Sequence, residues 1–284
     1  MEINIAIIGA SGFLGKSFVD YFNNKNIPVT AFSRTVQNKN WKEFDVLNYK
    51  DLSVFESFTH VFYCAAGGVQ RNNIGNNELR INSLFPIELS NYLNNINTSI
   101  KFISFGSYFE IGDNSLDKEW TEKEIIYTDN IISSEYIESK KILTYYSYIA
   151  KKSYHFILPT IYGEKENSKR LIPYIINSLK KNEKITISSG EQIRQYVYVE
   201  DVLKIIWENI VLLNCGVYNI SGEVVNINQI VKYIFSLFDS DIEISIENNF
   251  RDLSMMNLKL KQSNLIKEMN LSKSSLLDNL KKYL

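Results

Sequence analysis

Residues 5–22, "IAIIGASGFLGKSFVDYF", set three glycines, Gly9, Gly12 and Gly15, between a branched apolar run and an amphipathic one. Glycine weakens strands and helices alike, so its repetition here needs a physical cause. The apolar run reads as a buried strand and "GKSFVDYFNN" as a helix, which puts the glycines in the turn between them. One reading gives each glycine a task beside a dinucleotide. Gly9 permits the tight turn, Gly12 lets backbone approach a pyrophosphate, and Gly15 lets the helix pack closely on the strand. The pyrophosphate then rests on the free N–H groups of the helix start, beside Ser11, Phe13 and Leu14. The other reading is an ordinary turn with no ligand.

Outward from this turn, short apolar runs alternate with helical patterns. Strands are expected at "INIAII", "IPVTAFSR", "HVFYCAA", "IKFISFGS" and "YHFILPTIYG", with helices at "LRINSLFPIELSNYLNN" and "SSEYIESKKILTYYSYIA". Strands apolar on both faces argue for a parallel sheet covered by helices on both sides. After "TIYG" the pattern changes: "RLIPYIINSLKKN" and "YVEDVLKIIWENIVLL" read as helices, "KITIS" and "GVYNIS" as strands, and "SSLLDNLKKYL" as a last helical stretch. The pattern predicts an α/β chain. A doubly wound parallel sheet, the Rossmann arrangement, takes residues 1–163, with 194–222 returning to it. A smaller C-terminal α/β substrate lobe lies in 164–284, mainly 164–193 and 223–284.

Composition excludes several classes. Lys and Arg number 31 against 32 Asp and Glu in 284 residues, so no net charge draws the chain to nucleic acid or an anionic membrane. The two cysteines, Cys64 and Cys215, belong to no CxxC or Cys/His cluster, so no metal site is expected. No apolar run approaches the roughly twenty residues of a membrane span, and the first one is broken early by Gly9. A thiol-poor chain of this kind reads as cytoplasmic. His60 and His155 stand alone and read as structural.

The spacing in "GASGFLG" is GxxGxxG, and "YIESK" follows at 136–140. Together they resemble the short-chain dehydrogenase/reductase superfamily, and within it the extended branch, the NAD(P)-dependent epimerase/dehydratase family of nucleotide-sugar enzymes. "HVFYCAA", "ISFGSYFEIG", "LPTIYG" and "SGEQIRQYVYVEDV" extend the resemblance over essentially the whole chain. It implies a homodimer formed through the helix bearing "YIESK" and its neighbour.

A fold of this kind that prefers NAD places Asp or Glu at the end of its second strand, against the ribose 2′-hydroxyl. Here the strand ends in Ser33 and Arg34, and a hydroxyl with a guanidinium suits a 2′-phosphate. NADP(H) is therefore expected. NAD(H) is the alternative if Arg34 is a solvated loop residue. The resemblance places Asp45 near the adenine ring, and Ala65 and Ala66 leave room for backbone beside the cofactor.

Tyr136 and Lys140 stand four apart on one helix face. An ammonium near a phenol stabilises the phenolate, which makes Tyr136 a usable acid near neutrality. In the resembled family a Ser or Thr lies five residues before the glycine closing the strand-loop motif, and Ser107 and Gly112 match. Ser107 would bond the reacting oxygen, and Lys140 would also hold the nicotinamide ribose. Arg194 matches the family arginine on the substrate diphosphate, and Thr160 stands where an asparagine often contacts substrate. Gln195 replaces a frequent aspartate, and Leu158 a common arginine. Arg251 and Asp252 lie in the region of substrate contacts.

The family's dehydratases carry Asp-Glu directly after the catalytic Ser or Thr. Tyr108 and Phe109 occupy those places and Glu110 comes one position late, which disfavours dehydration. The Ser33-Arg34 pair favours a reductase, which exchanges NADPH, over a 4-epimerase, which retains NAD. The short C-terminal part also resembles compact reductases that act on 4-keto-6-deoxy nucleotide sugars of the kind used for surface polysaccharide, and that resemblance implies reduction at C4 of a nucleotide-diphosphate 4-keto-6-deoxyhexose. A non-catalytic NADP-binding sensor is the alternative of another class.

Overall fold

A computed structural model describes residues 2–37, 39, 41–68, 77–132, 134–238, 242, 244–247, 254–268 and 275–284. The chain opens with β1 (Ile5–Ile8), α1 (Phe13–Asn24), β2 (Val29–Ser33), β3 (Trp41–Glu43) and β4 (His60–Tyr63). A π-helical turn (Arg80–Leu84) leads into α2 (Phe85–Ile96), then β5 (Lys101–Ser107) and a 3-10 turn (Tyr108–Ile111). Next come α3 (Glu122–Tyr127), α4 (Glu135–Ala150), β6 (Tyr154–Leu158), β7 (Thr160–Tyr162), α5 (Leu171–Lys181) and β8 (Ile185–Ile187). The rest is β9 (Ile193–Tyr198), α6 (Val199–Asn209), β10 (Gly216–Asn219), β11 (Glu223–Asn226), α7 (Ile227–Ser236), β12 (Ile244–Ile246), α8 (Asn264–Glu268) and α9 (Leu276–Leu280).

Seven strands form one sheet in the order β10-β6-β5-β4-β1-β2-β3. The pairings β1–β2, β1–β4, β2–β3 and β4–β5 are parallel. The order steps outward in both directions from β1, which is the doubly wound arrangement expected from the alternation. Alternating side chains explain why its strands are apolar throughout. Ala6, Ile8, Val61 and Tyr63 face a layer with Phe85, Leu89 and Leu93 of α2. Phe62 faces the opposite layer, its ring 4.6 Å from Phe18 and 5.5 Å from Phe22 of α1. Those α1 residues are spaced by one helical turn, so a single apolar stripe covers the sheet.

The chain divides into two compact units: residues 1–110, 134–157 and 203–218, and residues 111–133, 158–202 and 219–284. The second holds a three-stranded sheet, β11-β9-β7, and the pair β12-β8. Its core gathers Ile172, Ile175 and Ile176 of α5, Ile230 and Ile234 of α7, and Leu276 and Leu280 of α9.

Two details depart from the sequence pattern. Pro159 splits the run read as one strand over 154–163, so β6 joins the seven-stranded sheet and β7 the three-stranded one. Proline offers no N–H to a ladder and interrupts it. Residues 193–198 carried no strand expectation, yet β9 is the central strand of the small sheet, pairing β11 and β7. The division accordingly assigns 111–133, 158–163, 194–202 and 219–222 to the second unit, which the sequence pattern gave to the first. Within residues 194–222, β10 is the strand that lies in the large sheet.

Candidate active site

The glycine turn closes β1. Gly9 has φ +82°, in the left-handed region, and a Cβ there would lie 2.4 Å from the Ala65 backbone nitrogen. A Cβ on Gly15 would lie 2.4 Å from Gly9 O, so α1 seats directly on the turn. Gly12 differs: its nearest neighbour is Gly9 O, at 3.4 Å. Two glycines are thus filled by backbone and the middle one is left bare. Gly12 is also the N-cap of α1, with no side-chain cap and no acidic residue in the first turn, which holds Phe13 and Leu14. The helix start presents its N–H groups and positive dipole end without a competing carboxylate.

A cavity of about 300 Å³ adjoins this turn, lined by Gly9, Ser11, Gly12, Phe13, Ser33, Arg34, Asp45, Ala65 and Ala66, with Phe44, Val46, Leu47 and Cys64. Ser33 Oγ donates to Ser11 Oγ at 2.9 Å, joining the end of β2 to the glycine turn. Among the described lining residues Asp45 is the one carboxylate, and its Oδ1 accepts the Leu47 N–H at 3.0 Å. A bare backbone over a helix start, next to a cavity with an apolar wall and a guanidinium, fits the pyrophosphate and adenosine end of a dinucleotide.

Ser107 ends β5 and is buried. Tyr136 and Lys140 lie in the first two turns of α4, which starts at the N-cap Ser134, whose Oγ accepts the Ile137 N–H. Lys140 is buried, and its Nζ donates to Phe105 O of β5 at 2.9 Å, anchoring α4 to the strand that ends in Ser107. Burial pushes the Lys140 amine down to about 8, opposed chiefly by the Glu110 carboxylate. Thr160 lies on β7 and Arg194 on β9, both in the second unit. The Arg194 guanidinium is buried and donates to Ile193 O at 2.9 Å and Met256 O at 3.3 Å. Arg251 and Asp252 fall outside the described residues.

Two site residues carried no role in the sequence pattern. Asn82 is fully buried in the π-helical turn, where its Oδ1 accepts the Gly67 N–H at 2.9 Å and its Nδ2 donates to Gly67 O at 3.0 Å. The same Nδ2 reaches Ser139 Oγ on α4, which in turn donates to Tyr136 O at 2.8 Å. A polar pair, Asn82-Ser83, on the inward face of an apolar helix was the available signal. Glu110 is the second: it is fully buried, and its Oε1 accepts the Ser107 N–H at 2.6 Å. Both histidines are buried. His155 bonds Ser104 Oγ and Thr144 Oγ1, each at 2.8 Å, while His60 bonds Thr59 Oγ1 at 2.9 Å and packs on Trp207. Burial pulls His155 down to about 3 and His60 to about 4, so both are neutral. Among the described residues no cluster of His, Cys, Asp or Glu could hold a metal ion, and no helix is long and apolar enough to cross a membrane.

A parallel sheet of this order, with a bare glycine turn and cavity at the carboxyl end of β1, defines an NAD(P)-dependent α/β enzyme. The chain belongs to the NAD dependent epimerase/dehydratase family, whose model matches residues 5–226. It is 25% identical over 217 residues to CDP-abequose synthase of Yersinia pseudotuberculosis, covering 72% of each chain. Identity to CDP-abequose synthase of Salmonella muenchen is 23% over 284 residues, covering 93% of this chain and 89% of that one. The fold superposes on UDP-glucose 4-epimerase from Thermus thermophilus, solved with NAD, at a TM-score of 0.81 and 15% identity, covering 98% and 96% of the two chains.

Proposed function

We propose that the protein reduces the C4 ketone of a nucleotide-diphosphate 4-keto-6-deoxyhexose with NADPH, in the cytoplasm, on a route to surface polysaccharide. The observation that carries the choice of cofactor, and with it of reductase over epimerase, is the end of β2. Ser33 and Arg34 line the cavity there, and no carboxylate occupies that strand end to repel a 2′-phosphate. Relatives named for a CDP-sugar support a nucleotide-diphosphate substrate.

The bound dinucleotide supplies hydride to C4. Gly9, Ser11, Gly12, Phe13, Leu14 and Gly15 would form its cradle, with Asp45 near the adenine and Ala65 and Ala66 beside the cofactor. Ser107 donates a hydrogen bond to the sugar O4 and fixes the ketone. Tyr136 gives its phenolic proton to O4 as the alkoxide forms, and the Lys140 ammonium stabilises the phenolate left behind. Lys140 also binds the nicotinamide ribose. Arg194 binds the diphosphate and Thr160 the substrate. Loss of NADPH absorbance with CDP-, dTDP-, GDP- and UDP-linked 4-keto-6-deoxy sugars tests the reading. Turnover that Tyr136→Phe lowers at least a hundredfold supports it. Interconversion of 4-hydroxyl epimers on retained NAD would instead identify an epimerase. Tight dinucleotide binding without turnover on any of the four would identify a sensor.

A further inference from the structure

The sequence pattern dismissed Glu110 as standing one place too late for a dehydratase acid. Its carboxyl is wholly enclosed, so it does not touch substrate. It sits at the end of a buried polar chain. Ser104 Oγ bonds His155 Nδ1, His155 Nε2 bonds Thr144 Oγ1, and Thr144 bonds the Glu110 carboxyl. A neutral imidazole has one donor and one acceptor nitrogen. With Thr144 donating to the carboxylate, Nε2–H donates to Thr144 and Ser104 donates to Nδ1, so every donor in the chain points toward Glu110. Room for this chain comes from Gly106, where a Cβ would lie 2.7 Å from Glu110 Oε1, 2.8 Å from His155 Nε2 and 3.0 Å from Thr144 Oγ1. Here a glycine inside a buried strand serves the close approach of side chains.

We propose that Glu110 is a positioning residue of this site: its buried carboxylate holds Ser107 through the backbone N–H and keeps the Lys140 amine protonated. The assignment of Lys140 to the reaction rests on the reductase reading above. Two observations carry the proposal. Glu110 is bonded to the main chain of Ser107 itself. Lys140 lies one turn before Thr144 on α4, and its buried amine is bonded to Phe105 O on the strand that ends in Ser107, where water cannot compensate its charge. Burial pushes the Glu110 carboxyl up to about 7, opposed by Thr144, the Ser107 N–H, Lys140 and Lys141. The groups acting on Lys140 are Glu110 and, at the end of β4, Cys64. His155 of β6 is neutral and contributes only its hydrogen bond. Above neutrality Glu110 is ionised, and its charge delays loss of the Lys140 proton as pH rises.

The test uses the full chain without substrate or cofactor. Lysine ε-carbons are followed by NMR from pH 6 to 10, with Lys140 assigned from Lys140→Met. In Glu110→Gln, which keeps an acceptor for the Ser107 N–H, the Lys140 midpoint should fall by about one pH unit. Coupling is reciprocal, so the Glu110 carboxyl carbon in Lys140→Met should titrate about one unit higher than in the unmodified protein. This second arm stands on its own if Glu110→Gln fails to fold. With a turned-over keto sugar, Glu110→Gln should bring the alkaline limb of kcat down by the same interval and leave KM within about twofold. Unmoved midpoints in a folded variant of either arm overturn the proposal. Shifted midpoints in a protein that turns over no keto sugar leave the electrostatic role of Glu110 standing and overturn only the reductase reading.

Discussion

Asn82 Nδ2 donates to Ser139 Oγ at 2.9 Å, so a side chain in the π-helical turn before α2 is bonded to the helix that carries Tyr136 and Lys140. The same amide closes a two-way bond with Gly67, directly after the Ala65-Ala66 wall of the cavity. One residue therefore ties the cavity wall and the proposed catalytic helix together. The wider π turn also leaves Ile81 O to accept the Tyr63 hydroxyl at 2.5 Å. Asn82→Ala removes both bonds to the half-buried Gly67 backbone and should cost about 1 kcal/mol of stability. Asn82→Asp keeps the acceptor for the Gly67 N–H and loses both donated bonds. Both variants should weaken dinucleotide binding and lower kcat, as read by urea denaturation, fluorescence titration and steady-state kinetics.

The three glycines should separate on substitution. Gly15→Ala drives a methyl into the Gly9 carbonyl and should destabilise the fold by about 1–3 kcal/mol. Gly12 has φ −75° and ψ 164°, which alanine adopts, so Gly12→Ala should change stability by no more than about 1 kcal/mol. Its methyl would occupy the bare cradle, and dinucleotide affinity should fall roughly tenfold or more. Thermal melts with and without NADPH distinguish the two.

Cofactor choice should reside in the end of β2. Arg34→Ala should weaken NADPH by about tenfold or more and leave NADH within about twofold, since a charge-assisted bond to the 2′-phosphate is lost. Ser33→Asp should reverse the preference by placing a carboxylate against that phosphate. No change with either cofactor would assign Arg34 to the solvent instead, and equal losses would move its contact to a part the two cofactors share.

Acid stability follows from the buried histidines. His155 is held down to about 3 and His60 to about 4, while the unfolded chain takes up both protons near 6.5. Their contribution is complete above 6.5 and is lost as pH falls toward those lower values. Glu110 acts in the opposite sense: raised to about 7, it contributes fully below 4.5 and loses that contribution as pH rises through 7. Between pH 6.5 and 4.5 two groups lose stability and one gains it, a net loss of about 1.4 kcal/mol per pH unit. His155→Gln removes one loser and should leave stability nearly level over that interval, as measured by denaturant midpoints at stepped pH.

The outer face of α4 exposes Ile142, Tyr145 and Ile149, which share one side of the helix. This apolar stripe is the contact we propose for the homodimer that the resemblance implies. Ile142→Lys with Ile149→Lys should give a monomer in sedimentation experiments with an unchanged circular dichroism spectrum, and an unchanged mass would remove α4 from any contact.

Periodicity made β1 and α1 legible because each buries an uninterrupted apolar face or stripe. β3 has three residues and β11 four, and no alternation can emerge over such lengths. β9 was hidden for another reason. Its "IRQYVY" mixes an arginine and a glutamine with apolar residues, yet both are buried, Gln195 Nε2 donating to Leu260 O and Arg194 to Met256 O. The glycine turn was legible in detail, because backbone approach admits few residue types. Glu110 and Asn82 were not, since a buried polar side chain is explained by its partners, and those come from distant parts of the chain.

The break at Pro159 bears on how the molecule is made. The large sheet ends on one side with β10, which borders β6 but is separated from it by the whole of 159–215. A nascent chain that has cleared the ribosome to residue 200 has all the other strands of this sheet and an unsealed β6 edge, open to a neighbouring chain. Slower translation across those intervening residues should therefore prolong exposure of that one rim and lower the soluble yield.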